Sequence, residues 1–181
     1  TEGRMVLAAV HVLAGEDPER ALALAAAVEV GSEHPVGRAI AQAVVAPPPA
    51  HDFVARPGIG AEAVVDGLRV SVGRPARLAA DGLMLAPELA AAVTAEGAQG
   101  RAVAAVAWDG AIRAILATGD VLRPTSAQAV RELRALGLEP ILLTGDGAAA
   151  AQFVAAQVGI TRVISDVLPE GKAAEVARLQ A

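Results

Sequence analysis

Thr144-Gly145-Asp146 follows the apolar run Pro140-Ile141-Leu142-Leu143 and precedes an alanine-rich, helix-favouring stretch. Twenty-eight positions after Thr144 stands Lys172, the only lysine in the chain. A hydroxyl at the carboxyl end of a strand, joined by a later lysine, is one way to hold a phosphoryl group. The hydroxyl donates to a phosphate oxygen and the ammonium offsets the charge. Nothing near Asp146 in the sequence activates it as a nucleophile. The pattern therefore reads as part of a phosphoryl-transfer site whose attacking group lies elsewhere. Two plainer readings stand beside it. Asp146 can cap the helix that follows. A lysine in a helix's first turn is ordinarily solvated, although the helix dipole disfavours it there.

The elements that must position these residues fall into two blocks. Residues 4–13 favour a strand. Asp17 with Pro18 suits a helix start, and residues 18–28 continue it. Ser32-Glu33-His34-Pro35 opens a second helix over Val36 to Val45, stopped by Pro47-Pro48-Pro49. Short β-favouring runs follow: Phe53 to Arg56, then Glu62 to Val65 and Leu68 to Val72 joined by Asp66-Gly67, a hairpin signal. Pro87 to Ala95 is helical. Arg101 to Trp108 and Ala111 to Ala117 form another hairpin around Asp109-Gly110. This is an α+β pattern, an antiparallel sheet with a helix pair. From Thr118 the rhythm changes to helix (Pro124 to Leu136), strand (Glu139 to Leu143), helix (Ala148 to Val158), strand (Arg162 to Ile164) and helix (Pro169 to Leu179). That is the signature of a parallel, Rossmann-type α/β sheet. It sets a domain boundary near 117–123, giving domains at 1–117 and 118–181. Asp120, at this junction, can equally cap the helix near Pro124. The tetrapeptides ending in Thr-Gly-Asp at 117–120 and 143–146 share nothing beyond themselves.

Bulk properties narrow the function. Of 181 residues, 54% are hydrophobic, enough for a core, but only two Phe and one Trp occur, so Val, Leu, Ile and Ala must fill it. The net charge of −5, with both signs interspersed, argues against a nucleic-acid partner, which needs a basic face. The absence of cysteine excludes disulfides and thiolate metal sites. His11, His34 and His51 have no metal-ligand spacing, so no metal site is read from the chain. No apolar run reaches the roughly 20 residues of a membrane span. Thr1 and the helical character of the last residues suggest that both ends are cut.

These pieces, taken in order, resemble the cytoplasmic ATP-binding region of heavy-metal P-type ATPases. Thr1-Glu2-Gly3 resembles the tail of the aspartyl-phosphate motif Asp-Lys-Thr-Gly-Thr-Leu-Thr-Glu-Gly. Ser32-Glu33-His34-Pro35 resembles the Ser-Glu-His-Pro element of the nucleotide-binding domain. Pro57-Gly58-Ile59-Gly60 with Asp66-Gly67 resembles its glycine pair. Asp120-Val121-Leu122-Arg123-Pro124 resembles the re-entry into the phosphorylation domain. Thr144-Gly145-Asp146, Gly159-Ile160 and Asp166-Val167-Leu168-Pro169 with Lys172 resemble that domain's haloacid-dehalogenase-like core. The series covers essentially the whole chain.

The resemblance implies a nucleotide-binding domain at 1–117 followed by part of a phosphorylation domain at 118–181. ATP is the implied substrate and Mg²⁺ the implied cofactor, with the magnesium ligands mostly outside these residues. Glu29 would contact adenine through its exocyclic amine, and His34 by stacking or hydrogen bonding. Gly58 and Gly60 would let the backbone approach the nucleotide, and Gly73 would line the same pocket. Thr144 would bind the transferred phosphoryl, Lys172 would stabilise its charge, and Asp120 would sit near the interdomain hinge. The acceptor aspartate would lie just before Thr1, leaving this stretch inactive in hydrolysis by itself. Membrane and actuator domains of the same pump would be partners, with the chain as the cytoplasmic lobe of an integral membrane protein. The motif forms resemble the copper or silver branch. Arg74 and Gly147 depart from the family, which usually has Asn at both places. Two other classes stay open: a soluble haloacid-dehalogenase-like phosphatase with residues 2–117 as its cap, and a stand-alone nucleotide-binding module.

Overall fold

The structure, a computed structural model, describes residues 4–180. The Thr1-Glu2-Gly3 element lies outside the described residues. The chain gathers into two compact units. One runs through Gly97 and resumes at Arg101–Val121; the other takes Ala98–Gly100 and continues from Leu122.

The first unit contains β1 (Met5–Val12), α1 (Pro18–Glu29), α2 (Pro35–Gln42), β2 (Ala50–Arg56), β3 (Gly60–Val65), β4 (Leu68–Gly73), α3 (Pro75–Ala80), β5 (Met84–Leu85), α4 (Pro87–Ala98), β6 (Ala102–Trp108) and β7 (Ala111–Asp120). The strands run antiparallel in the order β1-β7-β6-β4-β3-β2, and the short β5 lies parallel to the start of β7. Local chemistry explains the joints. Asp17 accepts from the Glu19 N–H at 2.9 Å, and Pro18 stands in the first turn of α1, as the sequence predicts. Asp66-Gly67 and Asp109-Gly110 all have positive φ, the backbone that tight two-residue hairpins require.

Strand alternation splits the core across the two sheet faces. Ala104, Val106 and Trp108 of β6 pack with Leu24 and Val28 of α1 and Ile40 of α2. Ala105 and Ala107, one step out of phase, pack with Leu78 and Leu89. Fully burying each Leu, Ile or Val contributes about 1.5–3 kcal/mol. The buried alanines of α1 (Ala21, Ala25, Ala26, Ala27) let that helix lie close on the sheet. In β7 the register jumps: Ala114 pairs with Val106, but Ile112 pairs with Ala107. Arg113 is the extra residue of this bulge. It donates to Glu16 at 2.6 Å and to the Trp108 carbonyl at 3.1 Å, and lies 5.6 Å from the Trp108 ring centre.

The second unit contains α5 (Ser126–Ala135), β8 (Ile141–Leu143), α6 (Ala148–Val158), β9 (Arg162–Ile164), a 3-10 turn (Pro169–Gly171) and α7 (Lys172–Gln180). β8 and β9 pair in parallel, from Ile141 with Arg162 to Leu143 with Ile164. The fold class read from the sequence, α+β followed by an α/β segment, holds.

Several details differ from the sequence reading. β7 runs on to Asp120 because Met5 to Leu7 of β1 pair with Thr118 to Asp120, so Thr118-Gly119-Asp120 is strand and not a helix entry. Asp120 accepts from the Arg4 N–H at 3.0 Å and does not cap α5, whose N-cap is Thr125 with no side-chain bond. Asp146 does not cap α6 either; Gly147 holds that position. α2 ends at Gln42, three residues before Val45. The sequence reading missed α3 and β5.

Candidate functional site

Helix α1 ends at Glu29, and the segment to Pro35 turns back into α2. Ser32 Oγ accepts from the His34 N–H at 3.3 Å, and His34 Nδ1 accepts from the Val36 N–H at 3.3 Å. His34 is thus the N-cap of α2. With Nδ1 accepting, neutral His34 carries its proton on Nε2, which is left as a donor. Burial pushes the Glu29 carboxyl above the usual carboxylate range, partly offset by its hydrogen bond with Ser32 and by the nearness of His34. Gly37 explains how this carboxylate fits. A Cβ there would land on Glu29 Oε2 and on Ser32 Oγ and Cβ. Gly37 is buried inside α2, where glycine is otherwise unfavourable, so its presence marks a close approach.

A second wall comes from β3 and β4. Gly60 pairs with Gly73 in register. A Cβ on Gly60 would strike the Val72 carbonyl oxygen, and one on Gly73 would strike the Ile59 carbonyl oxygen. Only two facing glycines permit this seam. Gly58, at φ +76°, makes the turn before it. Arg56 flanks the turn, donating to Glu62 at 2.8 Å and Asp81 at 2.5 Å. Hydrogen bonds to Asp81 and Glu62 push its pKa up and hold Asp81 below the usual carboxylate range.

These walls enclose a cleft of about 800 Å³. Glu29, His34, Gly58, Gly60 and Gly73 all line it, so five residues chosen from sequence meet at one place. Gly37 and Arg56 also line it and were missed. The helix-interior glycine was a legible signal; Arg56 carried none. The cleft offers a carboxylate acceptor, an imidazole donor and a bare backbone seam, a set suited to a flat ligand with exocyclic amine donors.

In the second unit, Thr144 sits just past β8. Its N–H donates to the Ile164 carbonyl at 3.0 Å and its carbonyl accepts from Val167 at 3.1 Å. The Thr144 hydroxyl donates to Asp146 Oδ2 at 2.8 Å and accepts from the Asp146 N–H at 3.1 Å. Asp166, at φ +58°, donates its N–H to the Asp146 carbonyl at 3.0 Å. Lys172 opens α7 and is exposed, with no ion pair among the described residues. Val167 links the two positions: its carbonyl oxygen lies against Gly145 and its side chain against Gly171. Thr144 and the turn before Lys172 are therefore held at the carboxyl end of the parallel strands, where α/β sheets bind ligands. Asp120 lies in the first unit, at the end of β7.

A family model described as haloacid dehalogenase-like hydrolase matches residues 1–181, and the chain belongs to that family. Its relatives are more particular. The probable copper-exporting P-type ATPase V of Mycobacterium tuberculosis is 43% identical over 175 residues, covering 93% of this chain and 23% of its own length. A crystal structure of a zinc-transporting PIB-type ATPase in an E2.Pi state matches with a TM-score of 0.88 and 33% identity, covering 98% of this chain and 29% of that one. The N-domain of HMA6, a copper-transporting P-type ATPase, matches with a TM-score of 0.55 and 30% identity, covering 65% of this chain and all of its own. The likeness to heavy-metal P-type ATPases read from the sequence is borne out. The chain spans about a quarter of the length of the curated relatives it matches.

Proposed function

We propose that this chain is the ATP-binding cytoplasmic lobe of a heavy-metal cation-translocating P-type ATPase of an integral membrane protein. The first unit, which runs to Val121, forms its nucleotide-binding domain, and the second, continuing from Leu122, part of its phosphorylation domain. The observation that carries the reading is the meeting of Glu29, His34, Gly58, Gly60 and Gly73 on one cleft. Adenine enters it with its exocyclic amine donating to the Glu29 carboxylate and His34 stacking on the ring or donating from Nε2. The Gly60–Gly73 seam gives the nucleotide a wall without side chains.

Chemistry follows in the second unit. An aspartate carboxylate outside these residues attacks the γ-phosphorus in line, the bond to the bridging oxygen breaks, and ADP leaves. Thr144 and Lys172 hold the transferred group. For this, the Thr144 hydroxyl must turn from Asp146 Oδ2, to which it now donates, toward a phosphoryl oxygen. Asp120 serves near the hinge. Mg²⁺ would offset charge on the nucleotide's phosphates, with its ligands mostly outside these residues; among the described residues no group of three or more His, Cys, Asp or Glu side chains can hold a metal ion. The pump's membrane and actuator domains are the remaining partners. No helix among the described residues is long and apolar enough to cross a membrane. Cu⁺ or Ag⁺ is the proposed cargo, supported by the copper-exporting relative and the motif forms.

The test is calorimetric titration of the chain with ATP and GTP, followed by backbone amide shifts. ATP binding with shifts confined to residues 29–37 and 56–74, weakened about tenfold or more by Glu29→Ala or His34→Ala, supports the proposal. Absence of adenine-nucleotide binding, or shifts elsewhere, removes it.

A further inference from the structure

Two arginines line the cleft, in different states. Arg56 is saturated by the carboxylates of Glu62 and Asp81, and Ser71 Oγ completes that network by donating to Glu62 at 3.2 Å. An incoming anion there meets two carboxylates already in place. Arg74 is the opposite case. Its backbone is fixed on both sides: its N–H donates to the Ile59 carbonyl at 3.0 Å, and its own carbonyl accepts from Arg77 at 2.9 Å and Leu78 at 3.0 Å. Buried Pro75 follows it. Its side chain is exposed, makes no cap bond to α3 and has no ion-pair partner among the described residues. Arg74 thus presents an unneutralised guanidinium from an anchored base, one residue beyond the Gly60–Gly73 seam.

The carboxylates lining the cleft, Glu29 and Glu33, come instead from the α1–α2 segment. The cleft therefore draws its acids from one segment and its unpaired cation from the β4–α3 corner. A nucleotide has a matching asymmetry: amine donors on the base and anionic oxygens on the phosphate chain. Guanidinium binds phosphate oxygens through two parallel N–H donors, which adds direction to charge.

Resting on the reading of the cleft as an adenine-nucleotide site, we infer that Arg74 grips the phosphate chain of the bound nucleotide. It is the residue by which the cleft distinguishes nucleoside di- and triphosphates from nucleosides. Glu29 and His34 read the base; Arg74 reads the charge.

The experiment is calorimetric titration of wild type, Arg74→Asn, Arg74→Lys and Glu29→Ala with ATP, ADP and adenosine, with circular dichroism checking each fold. The expected result for Arg74→Asn is an ATP and ADP affinity about 1.5- to 5-fold weaker with adenosine unchanged, the scale of one exposed charge contact. Arg74→Lys falls between, keeping charge but losing the fork. Glu29→Ala weakens all three ligands. Raising ionic strength from about 0.01 M to about 0.15 M shortens the screening length from about 30 to about 8 Å; it weakens ATP binding to wild type more than to Arg74→Asn. The inference is overturned if Arg74→Asn binds ATP as wild type does with the same salt response, or if it loses adenosine equally. A wild type that binds none of the three ligands overturns the nucleotide reading and this inference with it.

Discussion

Substituting Gly37 by alanine sets two physical effects against each other. Helix propensity alone favours the change: alanine in a helix interior is better than glycine by about 1 kcal/mol. The packing opposes it. The added methyl would occupy the space of Glu29 Oε2 and of Ser32 Oγ and Cβ. The Glu29 oxygen ends a flexible side chain and can swing away, but Ser32 Cβ is fixed to the backbone, so part of the collision is not relieved by rotation. Overpacking of this kind costs about 1–3 kcal/mol. The net expectation is a loss of about 1 kcal/mol, a fall in Tm of roughly 4 °C for a unit of this size. A second effect is larger for function. Glu29, pushed from its place, no longer presents its carboxylate to the cleft, and ATP affinity falls about tenfold, or about 1.4 kcal/mol. Thermal unfolding by circular dichroism gives the first quantity and calorimetric titration the second. A double-mutant cycle with Glu29→Ala sharpens both, because removing the carboxylate relieves part of the clash; the two changes should couple by about 0.5–3 kcal/mol. A Gly37→Ala protein that melts higher than wild type and binds ATP unchanged would refute the account of how the carboxylate is housed.

Other consequences follow from charge and packing. The raised pKa of Glu29 means the folded chain binds this proton more tightly than the unfolded one, so stability falls as pH rises from the ordinary carboxylate range through the raised value; Glu29→Gln should raise Tm at pH 7 but not at about pH 4, and a Tm gain of equal size at both would show that titration is not the cause. Glu96 behaves oppositely. Burial alone would raise its pKa, but His11 at 2.7 Å and Arg101 at 2.6 Å hold it below the usual range, so its contribution is present above about pH 4.3 and is lost as pH falls through the lowered value. Glu96→Gln should cost about 1–3 kcal/mol at neutral pH, discounted for the partial exposure of both partners, and much less in acid; chemical denaturation at several pH values measures it. Arg113→Ala removes the Glu16 pair, the bond to the Trp108 carbonyl and the contact with the Trp108 ring, for a loss of about 1–2 kcal/mol. Because Trp108 is the only tryptophan, its fluorescence reports the change directly, and an unaltered spectrum with unaltered stability would contradict it.

What could be read in advance depended on the range of the cause. Asp66-Gly67 and Asp109-Gly110 were legible because both residues of each turn must take positive φ, a demand met within the dipeptide itself. The start of α1 was legible for the same reason, since Asp17 and Pro18 act within one turn. The end of β7 was not. The sequence ends this strand at Ala117, yet Met5 to Leu7 arrive from the far end of the unit to pair with Thr118 to Asp120, and tertiary pairing overrides local preference. α3 has six residues and β5 two, too short for a period to show. In the cleft, Glu29, His34, Gly58, Gly60 and Gly73 were found through an ordered resemblance, but not the reason for each. Gly60 and Gly73 matter because each faces the other's neighbouring carbonyl, a fact of strand register. Gly37 matters because of a carboxylate eight residues upstream, on another helix.

The two sites use backbone differently, and the difference follows from the sheets that carry them. In the first unit the antiparallel hairpin β3–β4 brings Gly60 opposite Gly73, so the cleft gains a wall by leaving side chains out. On the proposed reading, Glu29, His34 and Arg74 are the polar side chains in that cleft that meet the ligand. In the second unit the parallel pair β8–β9 sends both chains out at the same end. The loops must then bond to each other, and they do so through Thr144 with Ile164 and Val167, and Asp146 with Asp166. That lattice fixes the Thr144 backbone while leaving Lys172 exposed at the start of α7. On the proposed reading, a flat base takes room and a few polar groups, and a phosphoryl group takes donors held in place beforehand. On that reading, each unit carries the kind of site its strand direction makes easy to build.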